Sequence, residues 1–315
     1  MYLNELERLS DIPDDLRQTF QNKFTNTVSK NEIIKMKNDG KLTERDLEIA
    51  KFLFKFRFAT ANQIQQYLQV ISENPEESAS IYAIRNRLEK LVQNRVLNKF
   101  MLGDFEEEHI KQEAYPFYCL DLGGKYLVTH YSNEDTFDWY MITNMKSSEI
   151  IAKDLMSTQF YLQLMENCPK KIVFFNVNPE LRVGNQNIVP SFEFCMKIEG
   201  LEGQHRYFIG EIGRDADVPL LFRQKANKLE QLVVTNAWKK YYYDSDIAPV
   251  LFVVSETDVL AKECGKIIDT CTEMKNYRFT TYERMKRPLY EKGAFLKYLP
   301  DAEALMETKA TTFKA

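Results

Sequence analysis

The chain of 315 residues has few of the side chains that mark metal or nucleophilic sites. Its five cysteines include no CxxC pair, and its three histidines are far apart in the sequence. Scattered cysteines of this kind are typically reduced thiols that pack as small hydrophobic groups, and their spacing argues against a zinc site. Neither a GxxxxGKS/T nor a GxGxxG motif occurs, which argues against a nucleotide-driven motor.

Long apolar runs are absent as well. No stretch approaches the ~20 apolar residues of a membrane span. The opening segment MYLNELERLSDIPDD lacks the charged and then apolar layout of a signal peptide. With 44% hydrophobic and 28% charged residues, the composition predicts a cytoplasmic globular protein with no membrane partner. The length is sufficient for two domains.

The chain also lacks an overall excess of positive charge. Its formal net charge is −4 at pH 7. A protein with this charge does not coat nucleic acid through its overall field. Any binding to DNA must therefore depend on a local basic patch.

The segment from residue 42 to 121 has the pattern of three helices followed by a β-hairpin. Thr43 and Thr60 each precede a helical pattern and are typical N-caps. After Thr43, the apolar residues Leu47, Ala50, Phe54 and Phe58 recur near the helical period. A third helix, from about Ala79 to Asn94, has an apolar stripe at the i, i+3, i+4, i+7 spacing. The stripe consists of Ile81, Ile84, Leu88, Leu91 and Val92. Two strands are predicted after it, Val96–Met101 and Tyr115–Leu120, with an acidic loop between them.

This order of elements resembles a winged helix-turn-helix, whose third helix enters the major groove of DNA. Arginine can bond guanine and asparagine can bond adenine there. The predicted DNA-binding residues are Tyr82, Arg85, Asn86, Arg87, Lys90, Arg95 and Lys99. The acidic loop, with Glu106 to Glu108, should be repelled by phosphate, so it should face away from DNA or contact a protein instead. The alternative is a small bundle of three ordinary helices with solvated charges.

The sequence of the second half of the chain indicates a different order of elements. A helix is followed by three strands, a helix and a strand, and then by a further helix and strand. The helices are predicted at 148–167, 219–243 and 256–270, and the strands at 171–177, 188–198, 206–212, 248–254 and 277–285. The strand at 248–254 is wholly apolar, as expected of a strand buried on both faces. The order resembles the αβββαβ core of restriction endonucleases, so the whole chain is predicted to be α+β.

Together these elements predict five segments. Residues 1–41 are an N-terminal extension and residues 42–121 the winged helix-turn-helix domain. Residues 122–145 are a connector in which Gly123 and Gly124 mark a turn. Residues 146–290 form the α/β domain, and residues 291–315 a C-terminal tail.

Four sequence features together resemble the replication-relaxation proteins of plasmids and integrative conjugative elements. They are LTERDLEIAKFLFKFRFATANQIQQYL, YPFYCLDLGGKYL, a Pro-Ser-Phe strand and the strand FIGEIGR, and the resemblance covers roughly residues 42–285. It implies a protein that binds double-stranded DNA of a mobile element. Its role would be accessory to replication or conjugative transfer, or regulation of the element's transcription. The expected partners are DNA, the element's replication or transfer proteins, and a second copy of the chain.

The resemblance also raises the question of nuclease activity. Nucleases with this core carry an Asp on the second strand and an acid-x-Lys sequence on the third, which bind a divalent metal and activate water. The matching positions here are Ser191, Glu211 and Gly213, of which only Glu211 is acidic. We therefore expect an inactive scaffold without a cofactor. The alternative is a Mg²⁺-dependent nuclease that uses displaced side chains: Glu193 or Glu149 as second acid, and Arg214, Lys225 or Lys228 as base.

Tyr241, Tyr242 and Tyr243 follow two lysines and have two interpretations. They could stack on single-stranded DNA. A relaxase tyrosine is disfavoured because three scattered histidines do not supply that enzyme's metal cluster. The favoured interpretation is a helix end whose aromatic side chains pack beneath the sheet.

Overall fold

The computed structural model describes residues 12, 16–72, 79–103, 116–132, 134–198, 204–214 and 220–314. The chain divides into two compact units, one spanning Ile12–Thr158 and the other containing Gln159 and the residues that follow it. The fold mixes helices with β-sheets, which confirms the α+β expectation. Within the described ranges, no helix is long and apolar enough to cross a membrane.

The N-terminal unit alternates helices with short strands. Its elements are β1 (Arg17–Phe20), α1 (Lys30–Asn38), α2 (Glu44–Phe56), β2 (Phe58–Ala59), α3 (Ala61–Ile71), α4 (Ile81–Gln93), β3 (Leu97–Gly103), β4 (Pro116–Leu120) and α5 (Leu122–Tyr131). Thr43 and Thr60 cap α2 and α3 through capping boxes, as the sequence predicts. Ser80 caps α4. The start of each helix is therefore determined by its own local sequence.

One antiparallel sheet in this unit has the strand order β1-β3-β4-β2. β3 and β4 form the expected pair, with Leu97 opposite Leu120. β1 pairs with β3, so that Phe20 lies opposite Phe100, and α1 packs against α5. Residues of the expected N-terminal extension are thus integral to this unit.

Two local expectations in this unit were wrong. Phe58, which fits the helical period, lies in β2 because Arg57, with φ 66°, ends α2 before it. Gly123 and Gly124 lie in the first turn of α5 and not in a loop. A Cβ at Gly123 would be 2.6 Å from the carbonyl oxygen of Arg95, so these glycines allow the helix to approach the backbone closely.

The C-terminal unit is built around a seven-stranded sheet with the order β13-β12-β11-β10-β9-β8-β5. The elements are α6 (Ser148–Asn167), β5 (Ile172–Val177), β6 (Leu181–Val183), β7 (Gln186–Ile188), β8 (Phe192–Lys197), β9 (His205–Gly213), α7 (Leu220–Val234), β10 (Val250–Ser255), α8 (Asp258–Cys271), β11 (Tyr277–Thr281), α9 (Tyr282–Met285), β12 (Phe295–Leu299) and β13 (Ala304–Thr308). α6 begins in the N-terminal unit and ends in this one. β9, β10 and β11 are parallel neighbours. The five cysteines are free thiols, and four of them are buried.

The two faces of the central strands have different cores. Ile209, Leu251 and Val253 point towards the apolar side chains of α7 and α8. Phe252, in the middle strand β10, points the other way into a cluster of aromatic rings. Side chains alternate between faces along a strand, so both cores follow from the apolar sequence of β10.

Four expected elements of this unit differ from the structure. The strand expected at 188–198 is divided between β7 and β8, with Pro190 and Ser191 between them. α7 ends at Val234, before Asn236 takes a positive φ of 54°. The strand expected at 277–285 ends at Thr281, whose hydroxyl caps α9. The expected tail 291–315 contributes β12 and β13, which extend the sheet by antiparallel pairing.

Candidate functional site

The outward face of α4 carries a row of exposed side chains. The apolar stripe is buried at Ile84, Leu88, Leu91 and Val92. Opposite it, Tyr82, Asn86 and Lys90 are exposed at a spacing of four residues, with 74% of the Tyr82 surface accessible. Residues four apart lie one above the other on a helix. Tyr82, Asn86 and Lys90 therefore form one continuous exposed row that presents a ring, an amide and an ammonium group.

Arg87, also predicted to bind DNA, is engaged within the protein. Its Nε donates to Asp46 Oδ1 at 2.8 Å, and its Nη2 donates to Asp46 Oδ2 and, at 2.8 Å, to the carbonyl oxygen of Lys41. Asp46 is fully buried and also accepts from the backbone and hydroxyl of Thr43. The hydrogen bonds to Asp46 raise the pKa of Arg87. Arg87 therefore fastens α4 to the start of α2.

Arg95 performs a similar role beyond the C-terminal end of α4. Its Nε donates to Asp121 Oδ2 at 2.7 Å, and its Nη2 donates to the carbonyl oxygens of Lys23 and Thr25. Asp121 caps α5 through the backbone N–H of Leu122. Burial raises the pKa of Asp121, whereas the hydrogen bond from Arg95 acts in the opposite direction. The two arginines thus hold α4 at its middle and just beyond its C-terminal end.

Two further residues that were predicted to bind DNA also have interactions within the protein. Lys99 pairs with Glu89 at 2.6 Å on the flank of α4 that faces β3. Arg85 is half-buried and already has an interaction within the protein. The acidic loop containing Glu106 to Glu108 lies outside the described residues. Of the seven predicted DNA-binding residues, Tyr82, Asn86 and Lys90 are the exposed ones.

A second polar site lies at the carboxyl end of β9, on the side of the sheet covered by α7. Glu211 is 1% exposed, and its Oε2 accepts from Ser191 Oγ at 3.2 Å and from Lys225 Nζ at 2.7 Å. Ser191 Oγ in turn accepts from the backbone N–H of Ile212 at 3.1 Å. The other oxygen of Glu211, Oε1, is buried without a hydrogen-bond partner in the described structure. Lys225, one of the three displaced side chains expected as a base, reaches this carboxylate from α7.

Three of the four other candidates for a nuclease site are bonded to other residues. Glu193, on β8, accepts from Asn176 Nδ2 at 2.9 Å and from the Tyr242 hydroxyl at 2.5 Å. Arg214 pairs with Glu256 at 2.9 Å. Glu149 pairs with Lys153 at 2.6 Å, and Lys228 is exposed. At Gly213, a Cβ would lie 2.9 Å from Cys264 Sγ, so this position has no room for a lysine.

The tyrosines after α7 have separate environments. Tyr242 is buried, its ring stacks on Tyr207 at 4.5 Å, and burial together with Glu193 raises the pKa of its hydroxyl. Tyr241 accepts from the backbone N–H of Arg182 at 2.7 Å, and Tyr243 is 87% exposed. Two of the three therefore pack or bond within the unit, as the favoured interpretation expects.

Comparison of the chain with protein-family models, with curated proteins and with solved structures gives no match. The chemistry of these two sites is therefore the basis for a functional assignment.

Proposed function

We propose that the N-terminal unit is a winged helix-turn-helix that binds double-stranded DNA sequence-specifically through α4. The order α2, β2, α3, α4, β3, β4, with β2 paired to β4, supports this topology. The observation that carries the proposal is the exposed row of Tyr82, Asn86 and Lys90 on a helix that Arg87 fastens at its middle and Arg95 just beyond its C-terminal end. Because the position of this helix is already fixed in the free protein, little conformational entropy is lost from it when its side chains enter a groove.

Each residue of the row has a suitable partner in the major groove. The amide of Asn86 can bond the N6 and N7 atoms of adenine, and the ammonium of Lys90 can bond guanine or phosphate. The ring of Tyr82 offers an apolar surface to a thymine methyl group, and its hydroxyl can reach phosphate. One helix with three such contacts reads only a short sequence. We therefore expect a second copy of the chain to read the other half of a two-fold site.

The proposed cellular role follows the resemblance to replication-relaxation proteins. In this proposal the protein acts in the cytoplasm on DNA of a mobile element, assisting replication or transfer or regulating transcription. The C-terminal unit, with strands and helices in the order of a restriction-endonuclease-like core, serves as a scaffold for replication or transfer proteins. Glu193 accepts a hydrogen bond from Asn176, and Arg214 donates one to Glu256. These bonds within the unit support the proposal of a scaffold without a cofactor.

Asn86→Ala combined with Lys90→Ala should abolish selective binding while the fold is retained. A base-contacting side chain is worth ~1–3 kcal/mol, and a phosphate contact contributes to affinity on every sequence. The measurement is fluorescence anisotropy with a duplex selected from a random pool by the full-length protein. Asn26→Ala with Lys30→Ala removes the same two residue types from exposed positions on the same unit and should have little effect. Unchanged selectivity in the α4 variant would eliminate this helix as the reader.

A metal-dependent nuclease is the second candidate function, and the contact between Lys225 and Glu211 favours it. Lys225 Nζ lies 2.7 Å from Glu211 Oε2, although it comes from α7 and not from Gly213, the strand position that matches the lysine of nucleases with this core. The partnerless Glu211 Oε1 offers one ligand for Mg²⁺, which is often bound through one or two carboxylates and several waters. A second free carboxylate is not present at this site in the described residues, since Glu193 is bonded to Asn176 and Tyr242.

Supercoiled plasmid incubated with the protein and Mg²⁺ or Mn²⁺ should remain intact if the C-terminal unit is a scaffold. The nuclease candidate makes the opposite prediction, because Glu211 would hold the metal and Lys225 would activate water. In that case nicking should disappear in Glu211→Gln and in Lys225→Met, and should persist in Lys228→Met, which alters an exposed lysine on the same helix. Nicking with this dependence would replace the scaffold with an enzyme.

A further inference from the structure

The turn between α1 and α2, residues 39–43, lies directly beside α4. The guanidinium of Arg87 extends from α4 to the carbonyl oxygen of Lys41 at 2.8 Å and to Asp46 in the first turn of α2. Arg87 follows Asn86 directly in the sequence but is not a member of the exposed row. Its side chain therefore leaves α4 at the edge of that row. The turn therefore borders the row within the length of one side chain.

The turn has a fixed backbone. Gly40 adopts a positive φ of 73°, which glycine permits, and the N–H groups of Lys41 and Leu42 both donate to the carbonyl oxygen of Met36. Leu42 is buried and Thr43 caps α2. These bonds hold the Cα of Lys41 in place next to α4.

Two cations belong to this part of the chain, one in the turn and one in the first turn of α2. Lys41 and Arg45 are exposed, and neither has an ion-pair partner in the part of the chain that the structure describes. Two nearby acids are paired with other cations. Asp46 accepts hydrogen bonds from Arg87, and Glu44 is paired with Lys37. Asp39 is exposed at the start of the turn. Lys41 and Arg45 thus give this border two cations against one exposed acid, Asp39, which is a net charge of +1 among the three residues.

The opposite flank of α4 has a different charge. There Glu89 and Lys99 neutralise each other at 2.6 Å. A major groove is about 12 Å wide, so a helix within it has a phosphate backbone on each side. The flank with two available cations is the one suited to attract the nearer phosphates.

We infer that Lys41 and Arg45 contact the phosphate backbone on the α2 side of α4 when the exposed row enters the major groove of duplex DNA. This inference rests on the proposed function and adds to it a second set of contacts that reads no sequence. Arg87 is the positioning residue that sets the distance between the two sets, since it bonds the turn and α2 from α4.

The test measures affinity against salt concentration with the full-length protein, using the selected duplex and a 24-bp duplex of mixed sequence. In Lys41→Ala combined with Arg45→Ala, the slope of log affinity against log salt should fall by about 1.8, since each phosphate contact contributes about 0.9. The loss of affinity that the two substitutions cause should therefore be roughly 60-fold greater at 0.1 M salt than at 1 M salt, for both duplexes. The ratio of affinities for the two duplexes should stay the same.

Lys30→Ala with Lys55→Ala is the matched control, because it removes two positive charges from exposed positions on the same unit. Lys30 begins α1 and Lys55 lies near the end of α2, each more than 10 Å along its helix from the turn at a rise of about 1.5 Å per residue. Its slope should stay close to that of the unaltered protein.

The outcomes separate this inference from the proposed function. An unchanged slope in the Lys41 and Arg45 variant, together with lost selectivity in the Asn86 and Lys90 variant, would overturn the phosphate contact and leave α4 as the reader. An equal fall in slope in the control variant would show a general charge effect and also overturn it. If the unaltered protein binds neither duplex, both the proposed function and this inference are rejected.

Discussion

Phe252→Ala should lower the free energy of unfolding of the C-terminal unit by about 3–5 kcal/mol. Phe252 lies in β10, the fourth of seven strands, and is 1% exposed. Its ring is 5.2 Å from that of Phe295 and 5.5 Å from that of Phe208, centroid to centroid. Truncation would leave a cavity that these rings cannot fill without leaving their own positions.

Tryptophan fluorescence can isolate this effect. Each unit contains one of the two tryptophans, Trp139 in the N-terminal unit and the buried Trp238 in the C-terminal unit. In a Trp139→Phe background, urea unfolding followed at Trp238 reports on the C-terminal unit. Tyr243→Ala removes an aromatic side chain of the same unit that is 87% exposed, and it should change stability by less than about 0.5 kcal/mol. A similarly small change for Phe252→Ala would contradict the central position of β10.

Asp46→Ala should lower the stability of the N-terminal unit by about 3 kcal/mol or more, in line with the loss of a buried ion pair. The carboxylate of Asp46 completes the capping box with Thr43 and accepts two hydrogen bonds from Arg87. Its loss removes the cap, typically worth about 1 kcal/mol, and leaves the guanidinium without its partner. Because Arg87 then no longer fastens α4, binding to duplex DNA should weaken in parallel.

The control for this prediction is Glu44→Ala, two residues earlier in the same helix. The Glu44 side chain is 82% exposed and its partner is Lys37. Exposed pairs of this kind contribute about 0–1 kcal/mol. Thermal unfolding by circular dichroism should therefore separate the two variants clearly. Equal midpoints would show that the contact between Arg87 and Asp46 does not hold α4.

The predictions that held concern features encoded over a few neighbouring residues. Thr43 and Thr60 start their helices because each hydroxyl bonds the backbone three residues later. The apolar stripe of α4 is buried at the expected spacing. The apolar run of β10 places that strand in the sheet centre.

The errors arose where local patterns were ambiguous or silent. Phe58 continues a helical period, yet a single residue with positive φ, Arg57, ends the helix before it. The segment 291–315 has no long apolar pattern. Its strands β12 and β13 form because the sheet offers β11 as a partner for antiparallel pairing.

For the two sites, the sequence by itself determined which residues face away from an apolar stripe and which strand carries the acid. It could not determine which charges remain available. The residues of each bonded pair are far apart in the sequence. The separation is 41 positions for Arg87 and Asp46, 26 for Arg95 and Asp121, and 14 for Lys225 and Glu211. Charged side chains buried by folding must be paired, and the partner is whichever opposite charge packing brings near. Tertiary structure therefore decided that Tyr82, Asn86 and Lys90 stay exposed while both arginines hold the helix that presents them.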